Sequence, residues 1–427
     1  MQLNDKASIR RALAAATCTL LGSASQTSHA EGGDEKWRVD TSVLYYSEQD
    51  RVTVVEPVVF LRKTTGEDSF VNFRLIYDTM SGASANGATP TNTPQTFTSA
   101  SGTSTYTTPA GKIPLHDFSD QRVAVAVEWD KPVDHLSRAI YGINASTEND
   151  YRSIGLSATR LREFNNKLTT LTIGISGSYD SVMPIGGAPT PMQLMSSVVP
   201  PPPGGEDDEG ESGKTKLVTD AIVGITQVLT RRALTQFNYS IGYSSGYLTD
   251  PYKVVSVIDA TGATIDYRFE SRPDTRLRQS LYWKTAYHFD HDVMHFAYRY
   301  YWDDWGIHAH TADLHYRMEL WKGAYLQPHL RYSTQTAANF YTYSLLNSSP
   351  VPAYASADYR LGELTTTTYG LKLGVPVGRT SEINLRVESI TQSGNGYPAD
   401  AIGIQKNYDL FPTINTTVVQ ITYTGHF

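Results

Sequence analysis

Three histidines in the C-terminal third of the chain have types and spacing that suit metal binding. His295, His315 and His329 occur in three successive segments in which polar and apolar residues alternate. Imidazole is a good ligand for zinc, copper or iron, and three imidazoles are enough to form a metal face. If adjacent segments pair as antiparallel strands about the turns at 304–305 and 322–323, the histidines lie on neighbouring strands at similar depth. The spacing therefore predicts a three-histidine metal site.

A charged wall is the interpretation of these segments that we favour over a metal site. Alternation places the polar residues of neighbouring segments on one face, which would line the inside of a barrel. The candidate lining residues are Arg278, His295, Arg299, Asp313, His315, Arg317, Glu319, His329, Arg331 and Arg386. In this interpretation the histidines simply join a network of mixed charges, and the mixed signs predict no strong ion selectivity. A register slip of one residue would also turn a histidine outward.

Catalytic motifs are almost absent from the sequence. Residues 242–246, Gly-Tyr-Ser-Ser-Gly, match the pattern that places a nucleophilic serine in serine hydrolases. That pattern works because a strand-to-helix elbow exposes the serine, whereas here it ends a strand and enters a Tyr- and Gly-rich loop. The sequence has no zinc-protease, phosphate-loop or dinucleotide motif. An outer-membrane enzyme is therefore only the third hypothesis, and no catalytic residue is assigned.

The elements that would position these residues are strands. Nearly the whole chain after residue 36 divides into segments of period-two alternation, about as long as tilted membrane strands. We predict about sixteen strands (14–18), at 37–48, 51–62, 69–80, 117–130, 135–147, 150–162, 167–179, 214–229, 233–246, 274–288, 293–302, 307–320, 324–337, 362–375, 380–393 and 414–427. The predicted fold is all-β, a transmembrane antiparallel β-barrel.

The lengths of the connections distinguish a membrane barrel from a soluble sandwich. Alternation fits both folds, but every long connection follows an odd-numbered strand. The long connections are 81–116, 180–213, 247–273, 338–361 and 394–413. Membrane barrels have short periplasmic turns and longer external loops. We therefore expect both termini in the periplasm and long extracellular loops.

Both ends of the chain indicate export to the outer membrane of a Gram-negative bacterium. Residues 1–30 combine a basic start, a short apolar run over 13–21 and small residues at 28 and 30, which predicts a cleaved secretory signal peptide. Residues 31–427 would then form the mature barrel. The ending Val419–Phe427 alternates and closes on an aromatic residue, and it resembles the terminal strand that barrel-assembly machinery recognises.

Composition excludes several classes of protein. The net charge of −7 argues against nucleic-acid binding, which needs a basic face. No segment approaches the roughly 20 apolar residues of a membrane-spanning helix. The 28 Tyr and 6 Trp suit a barrel with aromatic rings at both membrane interfaces. We expect contacts with outer-membrane lipid and lipopolysaccharide.

Several loop and strand motifs resemble a family of outer-membrane proteins known only as a domain of unknown function. The likeness covers most of residues 37–427 and is carried by the segments 250–253, 270–274, 303–307, 326–332 and 355–362, with 87–97 in addition. The resemblance implies a barrel in the outer membrane. It also implies an association with small lipoproteins and extracytoplasmic redox proteins, and it lends no settled activity.

The sequence leaves three functions open. The leading hypothesis is a porin-like channel or transporter for small solutes, because sixteen strands enclose an aqueous interior. The alternative is a scaffold or conduit that houses a small periplasmic lipoprotein or redox partner. An outer-membrane enzyme is the third. No cofactor is predicted beyond a metal ion at His295, His315 and His329.

Overall fold

Sixteen strands account for most of the chain. The computed structural model describes residues 37–198 and 213–427, and the predicted signal peptide lies outside this part. The strands are β1 (Trp37–Glu48), β2 (Val52–Gly66), β3 (Ser69–Ala85), β4 (Leu115–Asp134), β5 (Ser137–Thr147), β6 (Tyr151–Phe164), β7 (Thr169–Val182), β8 (Lys214–Thr230), β9 (Ala233–Gly246), β10 (Thr275–His288), β11 (Val293–Asp303), β12 (His308–Glu319), β13 (Tyr325–Gln335), β14 (Leu364–Val377), β15 (Ser381–Gly394) and β16 (Ile414–His426). All sixteen predicted segments correspond to one strand each.

The strands form one closed antiparallel barrel. Each pairs with its neighbour in sequence, and β1 closes the ring by pairing with β16 along Arg38–Glu48. The amide of Trp37 donates to the carbonyl of Phe427 at 3.0 Å, which ties the two ends together. Closure removes the unpaired edges that an open sheet would expose. The predicted all-β, sixteen-stranded barrel is therefore confirmed.

The two ends of the barrel differ in the length of their connections. The first described residue, Trp37, and the last residue, Phe427, lie at one end of the barrel, which we call the termini end, where short turns join the strands. All five long connections lie at the opposite end, as the sequence predicts. We call their described residues the cap: 86–114, 183–198 with 213, 247–274, 336–363 and 395–413.

Long-range contacts join the segments of the cap. It contains the short strands Gln95–Thr98, Thr105–Thr108, Val254–Ile258, Thr264–Phe269 and Ser344–Leu346. The strand at 254–258 pairs with both 264–269 and 344–346, so two long connections share one small sheet. The described helices are three 3-10 turns in the cap, Met195–Ser197, Tyr359–Leu361 and Gly403–Asn407. No helix in the described residues is long and apolar enough to cross a membrane.

The outer face of the barrel is apolar. Along the strands, exposed apolar residues alternate with inward residues, as Val43 does with the buried Ser42 and Leu44. Leu156, Ile175 and many others continue this belt around the barrel. An exposed apolar set outside and charged residues inside suit lipid rather than water, although the inward apolar residues Leu44, Tyr46, Val54, Met80 and Val418 also pack into one buried cluster.

An aromatic and basic rim borders the apolar belt at the termini end. Trp37 lies opposite Lys63, and Trp129 lies opposite Tyr141 in the same row of the sheet. The Lys63 ammonium is 5.2 Å from the Trp37 ring centre, and that of Lys131 is 4.2 Å from the Trp129 ring centre. Aromatic residues concentrate at the interfaces of membrane barrels, where an apolar ring body and a polar edge are both satisfied.

Because the outer face of the wall would meet lipid and the inner face the lumen, the same new charge should destabilise the barrel on the outer face and have little effect on the inner face. Leu156 is 64% exposed on the outer face, and Asn144 is exposed on the inner face. We expect Leu156→Arg to lower the free energy of unfolding in lipid vesicles by about 2–4 kcal/mol, because the charge would face hydrocarbon. Asn144→Arg should change it little, since its side chain faces the lumen. Urea unfolding of both variants measures this, and equal losses would contradict the assignment.

Candidate functional site

The ten candidate lining residues lie together on one wall of the lumen. All of them occur on β10–β13 and β15, and their exposed neighbours Leu281, Tyr298, Leu314 and Leu330 lie on the outer face. Arg299 and Arg317 are exposed although they face inward. The lumen along this wall is therefore open space rather than a packed core.

The three histidines occupy one row across three adjacent strands. His295 on β11 lies directly opposite His315 on β12, and His315 lies directly opposite His329 on β13. Adjacent strands are about 4.8 Å apart, so neighbouring imidazoles can touch. His315 and His329 do so, with ring centres 3.9 Å apart and an interplanar angle of 11°.

Two carboxylates hold this histidine pair. Asp313 contacts His315 Nε2 through Oδ1 at 2.9 Å and His329 Nε2 through Oδ2 at 3.1 Å. Glu388 Oε1 lies 2.9 Å from the other nitrogen, His329 Nδ1. Glu388 is absent from the predicted set, although its alternation with Val387 in the predicted strand at 380–393 already placed it inside. We call Asp313, His315, His329 and Glu388 the histidine cluster.

The hydrogen bonds assign different charges to the two rings. His329 has a carboxylate at each nitrogen, so both nitrogens donate and the ring carries a positive charge. His315 Nδ1 lies 3.1 Å from the amide nitrogen of Gln327 and accepts from it, which leaves Nε2–H to donate to Asp313. His315 is therefore neutral in this arrangement. The cluster joins two imidazoles and two carboxylates into one hydrogen-bonded chain.

The histidine cluster offers ligand atoms for a metal ion, but its two imidazole rings are not oriented to bind the same ion. Asp313, His315 and His329 each offer a ligand atom, and these atoms lie within 4.8 Å of one another. A metal ion lies near the plane of each imidazole that binds it, and two nearly parallel stacked rings share no such point. His295 does not belong to this group of ligands, and its buried Nδ1 has no hydrogen-bond partner in the described residues. The three-histidine site stays a prediction that requires the rings to turn.

The serine of the hydrolase-like pattern lies in a regular strand. Ser244 belongs to β9, where it is buried and lies opposite Arg276 of β10. The next described helical turn begins only at Tyr359. No elbow forms at this serine in the described residues, so the pattern has no catalytic geometry.

A buried ionic network joins the long connections within the cap. The guanidinium of Arg272 contacts Glu270 at 2.6 Å and Asp358 at 3.1 Å, and these three side chains are at most 3% exposed. The Arg360 guanidinium contacts Asp358 at 2.7 Å and Asp250 at 3.5 Å. Buried charges are stable only when they are paired in this way.

Lys253 attaches the same network to the wall of the barrel. Its ammonium donates to the carbonyl oxygen of Ala85, the last residue of β3, and to Ser84 Oγ. Asp250, Lys253, Glu270, Arg272, Asp358 and Arg360, which we call the cap network, hold three carboxylates and three cations. All six lie in segments that carry the family resemblance, but their position in loops gave no indication that they would meet.

The cap extends across the mouth of the barrel. Arg51 in the β1–β2 turn donates to the hydroxyl of Tyr359 in the cap at 2.6 Å, and Tyr252 in the cap donates to Asp150 in the β5–β6 turn at 2.8 Å. Trp305 in the β11–β12 turn packs in an apolar cluster with Leu361 of the cap. These three turns lie at well-separated points around the ring. The cap therefore spans the opening rather than standing beside it.

Burial shifts the pKa values of the network in opposite directions. Burial raises the pKa of Glu270 to about 7, although Arg272 partly offsets the effect. Burial also lowers the pKa of Lys253 to about 8. The neighbouring cations Arg360, Lys253 and Arg272 hold the pKa of Asp358 well below its usual range against the effect of its burial. At neutral pH, Glu270 is the network group closest to a change of charge.

Comparisons with known proteins identify a family and several barrels of similar fold. A family model described as "Protein of unknown function (DUF3570)" matches residues 10–425. A bacterial polysaccharide outer membrane secretin aligns with a TM-score of 0.47 and 7% identity, over 92% of this chain and 99% of that one. The outer membrane protein opdK from Pseudomonas aeruginosa aligns at 0.41 and 9% identity, over 92% and 99%. The siderophore receptor PirA from Pseudomonas aeruginosa aligns at 0.41 and 8% identity, over 92% and 62%. No curated protein matches the sequence significantly.

The histidine cluster predicts unequal effects of two histidine substitutions. His329→Gln would leave Asp313 and Glu388 without the cation between them, so we expect the free energy of unfolding to fall by roughly 1–3 kcal/mol. His295→Gln should change it little, because His295 lies outside the cluster. Urea unfolding in lipid vesicles tests both variants, and equal losses would contradict the network. If the metal site forms, zinc should stabilise the unsubstituted protein and not His329→Gln.

Proposed function

Because the chain belongs to the family of proteins of unknown function DUF3570, its function has to be inferred from the barrel, and we propose a gated outer-membrane channel for small solutes. The observation that carries this proposal is the open, charged lumen beneath the cap. Arg299, Arg317 and Asn144 face this lumen from both sides and are exposed within it. Charged side chains inside a membrane barrel are costly unless they are paired or wet.

The surface of the barrel supports the outer membrane as its location. The apolar belt would face hydrocarbon, and the rim at Trp37, Trp129 and Tyr141 would lie at the lipid headgroups. Closed β-barrels span the outer membranes of Gram-negative bacteria, and the predicted signal peptide would direct the chain there. In the expected orientation the termini end faces the periplasm and the cap faces the outside.

The width of the ring supports passage rather than a filled core. Barrels of sixteen to eighteen strands enclose an aqueous channel, whereas barrels of about eight strands are filled by their own side chains. Polar inward residues continue down the wall from the cap to the termini end, as Arg299, Asp313, His315 and Arg317 do on β11 and β12. This route would suit small hydrophilic solutes.

The cap would act as the gate of this channel. It spans one mouth and is held by the cap network, in which positive and negative charges balance. Opening requires this cap to shift or loosen, because Lys253 and Tyr359 attach it to the wall. Ionic contacts and loop packing can break without disturbing the strand hydrogen bonds of the barrel. Gating would therefore be a motion of loops on a fixed ring.

A conduit for a periplasmic partner is the second candidate. The observation that favours it is the asymmetry of the barrel, because the described connections at the termini end are short turns. A small lipoprotein or redox protein could enter the lumen from that side and meet its charged wall. Purification from native membranes would reveal such a partner as a small acylated protein bound in a fixed ratio.

If the cap is a gate, the protein with the complete cap and a variant with a shortened cap should differ in single-channel conductance. We expect residues 31–427 in a planar bilayer to show brief or small current steps, because the cap closes one mouth. Replacement of 250–272 by a short glycine-rich turn should give large, long-lived steps, since it removes Asp250, Lys253, Glu270 and Arg272 together. The size of single steps in potassium chloride is the measurement. If neither folded protein conducts ions, the channel proposal is wrong and the conduit is favoured.

The cap network also predicts a pH dependence of opening. The pKa of Glu270 is raised in the closed cap from its usual 4.5 to about 7, so the closed cap binds a proton that an open, hydrated cap releases. Acidification from pH 8 to about pH 5.5 should therefore stabilise the closed cap and make openings rarer. The lowered pKa of Lys253 opposes closure by an amount that grows as pH falls from about 10.5 to about 8 and then stays constant, so it adds little to the change between pH 8 and pH 5.5.

A matched substitution separates these contributions. Glu270→Gln keeps the size of the side chain and removes its titration, so the open probability should lose its dependence between pH 5.5 and pH 7. Its neighbours Arg272, Ser356 and the amide of Asp250 remain in place. Openings that become more frequent on acidification of the unsubstituted protein would contradict the assignment.

A further inference from the structure

One wall of the lumen holds four cations that form no ion pair with a carboxylate of the described residues. Lys284 on β10, Arg299 on β11, Arg317 on β12 and Lys372 on β14 face inward, and we call them the basic strip. In the part of the chain that the structure describes, none of the four forms an ion pair or a hydrogen bond through its side chain. The strip runs about 20 Å along the wall, from the row of Arg299 to the row of Arg317.

On the opposite wall most inward cations form close pairs. Arg38 contacts Asp40 at 3.0 Å and Arg138 contacts Asp130 at 2.8 Å, whereas Arg62 donates to Asn72. Arg122 contacts Asp78 at 2.6 Å, and both side chains are nearly buried. Ion pairs also occur on the wall of the strip, as between Arg276 and Asp303 and between Arg386 and Glu388, so unpaired inward cations are concentrated on that wall rather than confined to it.

Tyrosine rings hold the strip in place. The Arg317 guanidinium lies 3.6 Å from the ring centre of Tyr325, and the Lys372 ammonium lies 5.6 Å from the same ring. Tyr325 is itself fixed, because it is buried and its hydroxyl donates to Glu382 at 2.8 Å. Contacts with a ring face orient a cation but leave its N–H groups free to donate. The strip is therefore positioned for a ligand before any ligand arrives.

Most carboxylates of this wall already have a partner, but Glu319, two residues from Arg317 on the same face of β12, forms no ion pair in the described residues. Asp313 contacts both rings of the histidine cluster and lies 3.9 Å from Arg331, while Glu388 contacts His329 and Arg386. Beyond them, Glu382 accepts from Tyr325. The charged His329 ring offsets one of the two carboxylates that it contacts, and Arg331 and Arg386 lie beside them.

Like charges also face each other within the strip. Lys372 lies directly opposite Arg386 on β15. Like charges in directly opposite positions destabilise a sheet. An anion between them would relieve this repulsion, and the low-dielectric wall of the barrel would strengthen the attraction.

We propose that the basic strip binds small organic anions that carry a carboxylate or phosphate group and guides them through the channel. The proposal rests on the channel function and names the class of solute. Guanidinium groups bind planar carboxylates and phosphates through paired hydrogen bonds, which Arg299 and Arg317 can supply from two adjacent strands. Lys284 lies near the same path as a point charge.

Ion selectivity tests the strip in the open channel. The reversal potential of the cap-shortened protein in a potassium chloride gradient should report chloride permeating about threefold or more over potassium. The triple variant Lys284→Gln, Arg299→Gln and Arg317→Gln should lose this preference. The double variant Arg160→Gln and Arg162→Gln is the matched control, because both arginines are exposed on the outer face of β6. Cation preference in the unsubstituted channel would overturn the strip and leave the channel intact.

Equilibrium binding tests the strip without requiring conductance. Isothermal titration of folded residues 31–427 with citrate should show one binding event that salt weakens, and the triple variant should bind roughly tenfold more weakly or worse. The outer-face control should bind citrate as the unsubstituted protein does. Equal affinity for citrate in all three folded proteins would contradict the proposal that the basic strip binds anions. Binding by a protein that never conducts would contradict the channel alone.

Discussion

Closure of the sheet is the constraint on which the rest of the structure depends. Pairing of β1 with β16 leaves no free strand edge, so every strand takes its two partners within one ring. A ring has only an outside and an inside, and period-two alternation then divides each strand between them. Because Val43, Leu156 and their counterparts occupy the outside, most charged residues line the lumen, and outward arginines such as Arg160 and Arg162 lie toward the termini end. The charged lining of the lumen is thus a consequence of the closure of the sheet into a ring.

The same constraint explains why the ring and its cap use different interactions. Strand hydrogen bonds hold the ring, and these do not depend on side-chain charge. The cap cannot extend the sheet across the mouth, so it closes the opening with side chains from distant loops. Arg272 contacts Asp358 and Arg360 contacts Asp250, and each of these contacts connects the loop at 247–274 with the loop at 336–363. The ring is therefore rigid, and the cap can move without disturbing it.

The sequence predicted the ring well and the cap hardly at all. The predicted strand at 293–302 corresponds to Val293–Asp303, because alternation is a local property that needs no knowledge of partners. The row of histidines followed from turn positions for the same reason. Glu388, Lys284 and Lys372 were missed although alternation placed them inside. The cap network could not be predicted, since its members meet only through contacts between loops far apart in sequence.

The distribution of charge links the cap to the wall. Within the cap network three carboxylates balance three cations, so the network itself has no surplus negative charge to offer the wall beneath it. The histidine cluster likewise uses Asp313 and Glu388 internally. The unpaired cations Arg299 and Arg317 therefore have no fixed counter-ion in the described residues, and mobile anions must compensate them. A lumen that draws its counter-ions from solution is already selective for the charge of what enters it.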